Sequence, residues 1–269
     1  MILLSRLGFA VALLAALPGA AFADVSLISI QTPRGAKQSF ILIKPEKPVA
    51  SVVLFAGGHG GLGLKSASAM RWGAGNFLVR SRDAFAARNL MVAVIDAPSD
   101  HRDGMNAIFR MSGGHAADIG AVAAYLKTQA PVPVWLVGTS MGTFSAAGGA
   151  IGARNIDGVV LTSTMTRSKP DWAIAASYPH AVASMALQRV TVPTLIMSHR
   201  RDACPFTPAA DAPKLTARLT KARKVETILL DGGDPPQSEP CEAKAQHGYL
   251  GIESKAVDAI AAFIKKQSE

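Results

Sequence analysis

Charge is scarce in this chain. Asp, Glu, Lys and Arg together make up 17% of its 269 residues while 49% are hydrophobic. That balance excludes an intrinsically disordered chain and supplies enough apolar surface for one large core. Aromatic residues are also sparse, at 6%, and the Lys and Arg residues, which outnumber Asp and Glu by 28 to 19, are scattered. With no basic tract interleaved with aromatics, the net charge of +9 reads as a solvated cationic surface, and no nucleic-acid partner is expected. The short clusters Arg200-Arg201 and Lys221-Ala222-Arg223-Lys224 do not alter this.

Other features are missing altogether. No internal repeat, low-complexity tract or linker divides the chain, so residues 24–269 are expected to form a single domain. Neither G-x-x-x-x-G-K-[ST] nor G-x-G-x-x-G is matched, which argues against nucleotide binding. Metal-ligand spacing is absent and no cofactor is implied. Beyond residue 23 no apolar segment reaches the roughly 20 residues of a bilayer span. The N-terminus differs: Arg6 precedes the apolar stretch 7–17, and Ala21-Phe22-Ala23 gives a small-x-small pattern ahead of Asp24. Residues 1–23 therefore read as a cleaved signal peptide, and the mature protein as periplasmic or secreted, with no integral membrane segment. Cysteine is limited to Cys204 and Cys241. In an exported protein such a pair is expected to be joined, contributing about 3–4 kcal/mol if unstrained.

Short apolar runs rich in β-branched residues lie at 51–55, 91–95, 132–137, 158–162, 192–197 and 225–230, the pattern of strands covered on both faces. Runs 25–30 and 39–43 precede them as a predicted antiparallel pair. Helical patterns occupy 77–88, 116–128, 141–153, 213–222 and 254–266. This alternation specifies an α/β fold, a mostly parallel central sheet with helices on both faces, whose active residues gather at the carboxyl ends of the strands. The stretch 164–190, carrying Trp172, Tyr178 and His180, reads as an ordinary helix with flanking loops. A small cap over the site is the alternative, so little or no cap is expected.

Gly138-Thr139-Ser140-Met141-Gly142 follows directly on the run Val132-Pro133-Val134-Trp135-Leu136-Val137. A serine between two glycines, where a buried strand turns into a helix, is the pattern of a nucleophile elbow. The small residues Ala146-Ala147-Gly148-Gly149-Ala150 then let the helix lie close to the sheet. A serine hydroxyl needs a base, and the base needs an orienting carboxylate. Of six histidines, His247 follows the last predicted strand in the loop Gln246-His247-Gly248-Tyr249. His59 belongs to a glycine loop, His101 and His115 to polar loops, His180 to the possible cap, and His199 falls just after a strand. Asp202 lies past the end of the strand at 192–197, whereas Asp231 and Asp234 sit among turn formers. A Cys204–Cys241 bond would staple the acid loop to the base loop. The loop Phe55-Ala56-Gly57-Gly58-His59-Gly60-Gly61 offers bare backbone. Its expected contribution is the His59 N–H, which with the Met141 N–H would form an oxyanion hole.

With these residues in the order Ser, Asp, His, the chain from about residue 25 to its closing helix resembles the α/β-hydrolase superfamily. Its compact size is similar to small esterases and dienelactone-hydrolase-like proteins, although the latter typically use cysteine where this chain has Ser140. The resemblance implies Ser140 as nucleophile, His247 as general base and acid, and Asp202 as orienting acid. The implied activity is cleavage of a small-molecule carboxylic ester through an acyl-serine. A serine peptidase or acyltransferase would use the same residues. A non-catalytic binding module is the remaining alternative, against which the intact set of three argues.

Overall fold

Eight strands lie edge to edge in one sheet in the order β1-β2-β4-β3-β5-β6-β7-β8. The structure, a computed structural model, is described for residues 23–268, and all but the last residue of the expected signal segment lies outside them. The strands are β1 (Asp24–Gln31), β2 (Lys37–Lys44), β3 (Ala50–Phe55), β4 (Leu90–Ile95), β5 (Val134–Ser140), β6 (Gly158–Thr164), β7 (Thr194–His199) and β8 (Val225–Leu230). β2 pairs antiparallel with both β1 and β4, and every other pairing is parallel. The expected opening pair and parallel sheet are both present.

The helices are α1 (Phe77–Arg80), α2 (Arg82–Ala86), α3 (Ala107–Arg110), α4 (Gly113–Gln129), α5 (Gly142–Gly152), α6 (Ala212–Thr216) and α7 (Glu253–Ser268). Successive strand residues point to opposite faces, so the central strands feed two cores. Leu136 packs with Ile119 of α4 and Phe144 of α5, whereas its neighbour Trp135 packs with Phe85 of α2 and Phe263 of α7. The Trp135 and Phe263 rings meet edge to face at 5.7 Å. Among the described residues no helix is long and apolar enough to cross a membrane.

Three helical expectations need correction. The pattern at 77–88 breaks at Ser81 (φ −95°, ψ 3°), whose backbone leaves helical geometry and separates α1 from α2. The helix expected at 213–222 ends at Thr216, because the amides of Arg218 and Leu219 bond three residues back and tighten the chain into turns. No α-helix forms in 164–190. Two 3₁₀ turns, Ala181–Ser184 and Leu187–Arg189, stand there. Pro170 and Pro179 each remove a backbone donor that a continuous helix would need. Conversely α3 has no strong pattern of its own. It is started by Asn106, whose side chain accepts from the Phe109 N–H at 2.9 Å.

His115, in the first turn of α4, is fully buried, near the Phe55 and Phe109 rings. Burial pushes its pKa down from 6.5 to about 3, with the nearby Arg110 cation adding to the effect. The unfolded chain takes up this proton at a higher pH than the folded one, so stability is complete above the ordinary histidine pKa and falls on acidification below it. Between pH 6 and 4 the wild type is therefore expected to lose up to about 1.4 kcal/mol per pH unit more than a His115→Gln variant in urea denaturation. Parallel pH profiles would contradict the assignment.

Candidate active site

Ser140 ends β5 with φ 52°, a left-handed backbone that a residue with a Cβ rarely adopts. The turn is possible because the chain on either side is bare. A Cβ on Gly142 would strike the carbonyl of Phe55, and one on Gly138 would press on the backbone of Gly142. Thr143 Oγ1 fastens the bend by donating to the Ser140 carbonyl at 2.5 Å. The result is a half-buried corner between β5 and α5. Ser140 Oγ is turned toward Met165 Sδ, 3.9 Å away, just beyond the end of β6.

His247 lies in a 3₁₀ turn, Gln246–Gly248, between β8 and α7. Its Nδ1 is 3.0 Å from Asp202 Oδ2, and both side chains are almost completely buried, at 5% and 0% exposure. Facing a carboxylate, Nδ1 carries the proton, which leaves Nε2 as the basic nitrogen. Nε2 is buried and has no hydrogen-bond partner among the described residues. Ser140 and His247 line the same cleft, of about 410 Å³. They are not hydrogen-bonded to each other, since the serine hydroxyl faces Met165.

Asp202 is held in place by the N–H of Cys204 at 3.0 Å and the hydroxyl of Thr207 at 2.9 Å. The Thr207 oxygen is also 3.1 Å from His247 Nδ1, so one buried hydroxyl touches both partners. Nothing in the local sequence singles out Thr207. The His247 loop has its own anchors. The Ser163 hydroxyl donates to the His247 carbonyl at 2.8 Å, and the Arg80 guanidinium donates to the Gly248 carbonyl at 2.6 Å. Tyr249 (φ 58°) ends the turn with its phenol donating to the Met197 carbonyl at 3.0 Å, and burial pushes that phenol's pKa up. Cys204 and Cys241 are bonded to each other, joining the Asp202 loop to the segment before His247.

The glycine loop leaves β3 beside the elbow, because β3 and β5 are neighbours and Phe55 pairs with Gly138. At Gly57 a Cβ would stand 3.0 Å from the Ser140 Cβ. His59 is exposed, its ring edge-on to Trp72 at 5.3 Å, and its Nδ1 accepts from the Gly61 N–H at 3.2 Å. A second cleft, of about 440 Å³, shares Gly58 and His59 with the first and runs past Met141 to Met105, Ile108, Trp172 and Ile174. Part of the irregular 164–190 stretch is thus a side wall of this cleft.

The other histidines and acids are occupied elsewhere. His199 Nδ1 accepts from the Arg201 N–H, and its Nε2 donates to the Gly232 carbonyl, each at 3.0 Å. His101 stacks on Phe109 at 3.6 Å. His180 precedes a 3₁₀ turn, where its backbone N–H donates to the Ser184 hydroxyl. Asp231 is exposed and pairs with Arg201 at 3.2 Å.

No protein-family model and no curated protein matches the sequence. Solved structures are similar across most of their length. An esterase, Pf2001, from Pyrococcus furiosus aligns at 15% identity over 92% of each chain with a TM-score of 0.64. One of two fungal esterases from Rhizomucor miehei aligns at 14% identity over 93% of this chain and 84% of that one, with a TM-score of 0.61. A cold-adapted esterase from an Arctic intertidal metagenomic library aligns at 14% identity over 92% and 95%, with a TM-score of 0.59. Together with the strand order and the single reversed strand β2, these likenesses give the chain the α/β-hydrolase fold.

Breaking the disulfide should loosen the two loops it joins more than the sheet. In a Cys204→Ser, Cys241→Ser variant, amide hydrogen exchange over 202–207 and 241–248 is expected to quicken at least tenfold while that of β3 and β5 is nearly unchanged. Uniform acceleration across the molecule would contradict a local role.

Proposed function

We propose that this protein is an exported serine hydrolase that cleaves a carboxylic ester through an acyl intermediate on Ser140. The observation that carries the reading is the buried His247–Asp202 pair: the imidazole has one nitrogen committed to the carboxylate and the other unpartnered, in the cleft lined by a serine held at φ 52°. An unpartnered nitrogen alone does not mark a base, since the buried His115 also has one; His247 differs in having a carboxylate on its other nitrogen and a place in the cleft with Ser140.

The chemistry proceeds from these positions. Rotation about the Cα–Cβ bond of Ser140 turns Oγ from Met165 toward His247. Nε2 takes the hydroxyl proton as Oγ bonds to the ester carbonyl carbon, and the carbonyl oxygen becomes an oxyanion. The Met141 N–H and the His59 N–H receive that charge. Asp202 stabilises the imidazolium without taking its proton. Collapse of the intermediate breaks the ester C–O bond, and the departing alkoxide takes the proton from Nε2. Water then attacks the acyl carbon, giving its proton to Nε2, and the acid is released as Ser140 regains its hydrogen.

The mainly apolar cleft beside Met141 suits an unbranched or lightly branched hydrocarbon portion of a small ester. A peptidase or acyltransferase would share these steps and differ in the leaving group or acceptor. Export is supported by the N-terminal pattern and by the disulfide.

A fluorophosphonate probe is expected to label the wild type and not Ser140→Ala. Asp202→Asn should lower kcat on a 4-nitrophenyl ester by about 10³–10⁴-fold at neutral pH, as loss of the orienting acid does in such triads. Labelling that persists in Ser140→Ala, or a folded wild type that is neither labelled nor active on esters, would overturn the reading. For the cleft, Ile174→Trp should cut kcat/KM for an octanoyl ester at least tenfold relative to acetyl. An unchanged chain-length profile would remove the cleft from the account.

A further inference from the structure

Arg110 closes α3 and is 1% exposed. A buried guanidinium normally faces a carboxylate, yet among the described residues every hydrogen-bond partner of this one is neutral. Nη1 donates to the Ser145 hydroxyl at 3.0 Å and Nε to the Met105 carbonyl at 3.3 Å. Nη2 donates to the carbonyls of Gly58 at 3.2 Å and Ala56 at 3.5 Å. Burial lowers its pKa only to about 10, so it keeps its charge at neutral pH. Beyond Ser145, whose Oγ is 3.0 Å from His115 Nε2, the network ends on an imidazole that burial keeps uncharged.

The two loop carbonyls matter most. Within a trans peptide the C=O and the following N–H point in opposite directions, and among the described residues there are no cis bonds. With the Ala56 and Gly58 carbonyls drawn to the guanidinium, the N–H groups of Gly57 and His59 face the other side of the loop. Arg110 lies beneath that loop, in the protein, and the cleft lies above it, lined by Gly57, Gly58 and His59. The loop rests directly on the guanidinium: a Cβ on Gly60 (φ 72°) would collide with Arg110 Nη2. Met105, held through its carbonyl by Arg110 Nε, uses its own N–H to hold the His59 carbonyl at 2.8 Å.

We propose that Arg110 is a positioning residue for the oxyanion hole, its fork fixing two glycine-loop peptides so that their N–H groups face the ester oxygen, with an uncompensated positive charge beneath them. The inference rests on Ser140 being the nucleophile. Interactions of this kind strengthen as negative charge develops, so they act on kcat rather than on ground-state binding. Lysine retains the charge and lacks the planar fork that reaches several acceptors at once.

The test uses the wild type, Arg110→Met, Arg110→Lys and Ser145→Ala, each titrated to completion with a fluorophosphonate so that kcat is expressed per competent site. Arg110→Met is expected to lower kcat per site 10–100-fold with KM within threefold, and Arg110→Lys to recover only part of the loss. Ser145→Ala, which removes one anchor and leaves the cation in place, should lower kcat three- to tenfold and guards against failure of the Arg110 variants to fold. A loss confined to the number of titratable sites, with kcat per site within threefold of wild type, would mean a purely structural role and overturn the proposal. A wild type that cannot be titrated would instead defeat the reading of Ser140.

Discussion

Gly142 has no room for a side chain because the carbonyl of Phe55 lies against it, and this contact between the start of α5 and the end of β3 governs the site. It draws the helix down so that β5 must bend within one residue, which places Ser140 in left-handed backbone with its hydroxyl clear of the sheet. It also sets the glycine loop leaving β3 beside the serine. β3 ends at Phe55, opposite Gly138, just before β5 ends at Ser140, so the two segments that would hold an oxyanion start from nearby points on one rim.

The opposite side of the site is built on different means. The Asp202 and His247 loops leave β7 and β8, and the only regular structure within them beside these two residues is the short 3₁₀ turn that carries His247. Their register comes from a covalent bond between Cys204 and Cys241, from the Thr207 hydroxyl that touches both side chains, and from Ser163 and Arg80, which hold the backbone around His247. The Ser140 corner thus depends on backbone packing, and the His247–Asp202 pair on side-chain anchors and a crosslink. The charges are arranged asymmetrically too: a buried carboxylate behind the imidazole, and beneath the glycine loop a buried guanidinium whose hydrogen-bond partners among the described residues are neutral.

Much of this was legible in the sequence because it depends on local patterns. All eight strands were marked by apolar runs between turn formers, and the elbow by glycines that a tight strand-to-helix turn demands. The order of elements fixed which loops could meet at one rim. What was not legible depends on long-range contact. Thr207 has no motif around it and gains its place only when its loop folds against His247. Arg110 lies in a one-turn helix too short to show a period, and a lone arginine gives no sign of burial. The stretch 164–190 reads from sequence as an ordinary helix with flanking loops, with a small cap as the alternative, yet its prolines and its packing as a cleft wall keep it irregular. Met165, the neighbour of the Ser140 hydroxyl, belongs to the same class.

The account is tested most directly by the structure of the protein after reaction with a fluorophosphonate. It predicts phosphorus bonded to Ser140 Oγ, with the phosphoryl oxygen within hydrogen-bond distance of the N–H of Met141 and of a glycine-loop N–H, and His247 Nε2 facing the ester oxygens. An adduct whose phosphoryl oxygen points to solvent, away from both backbone donors, would contradict it.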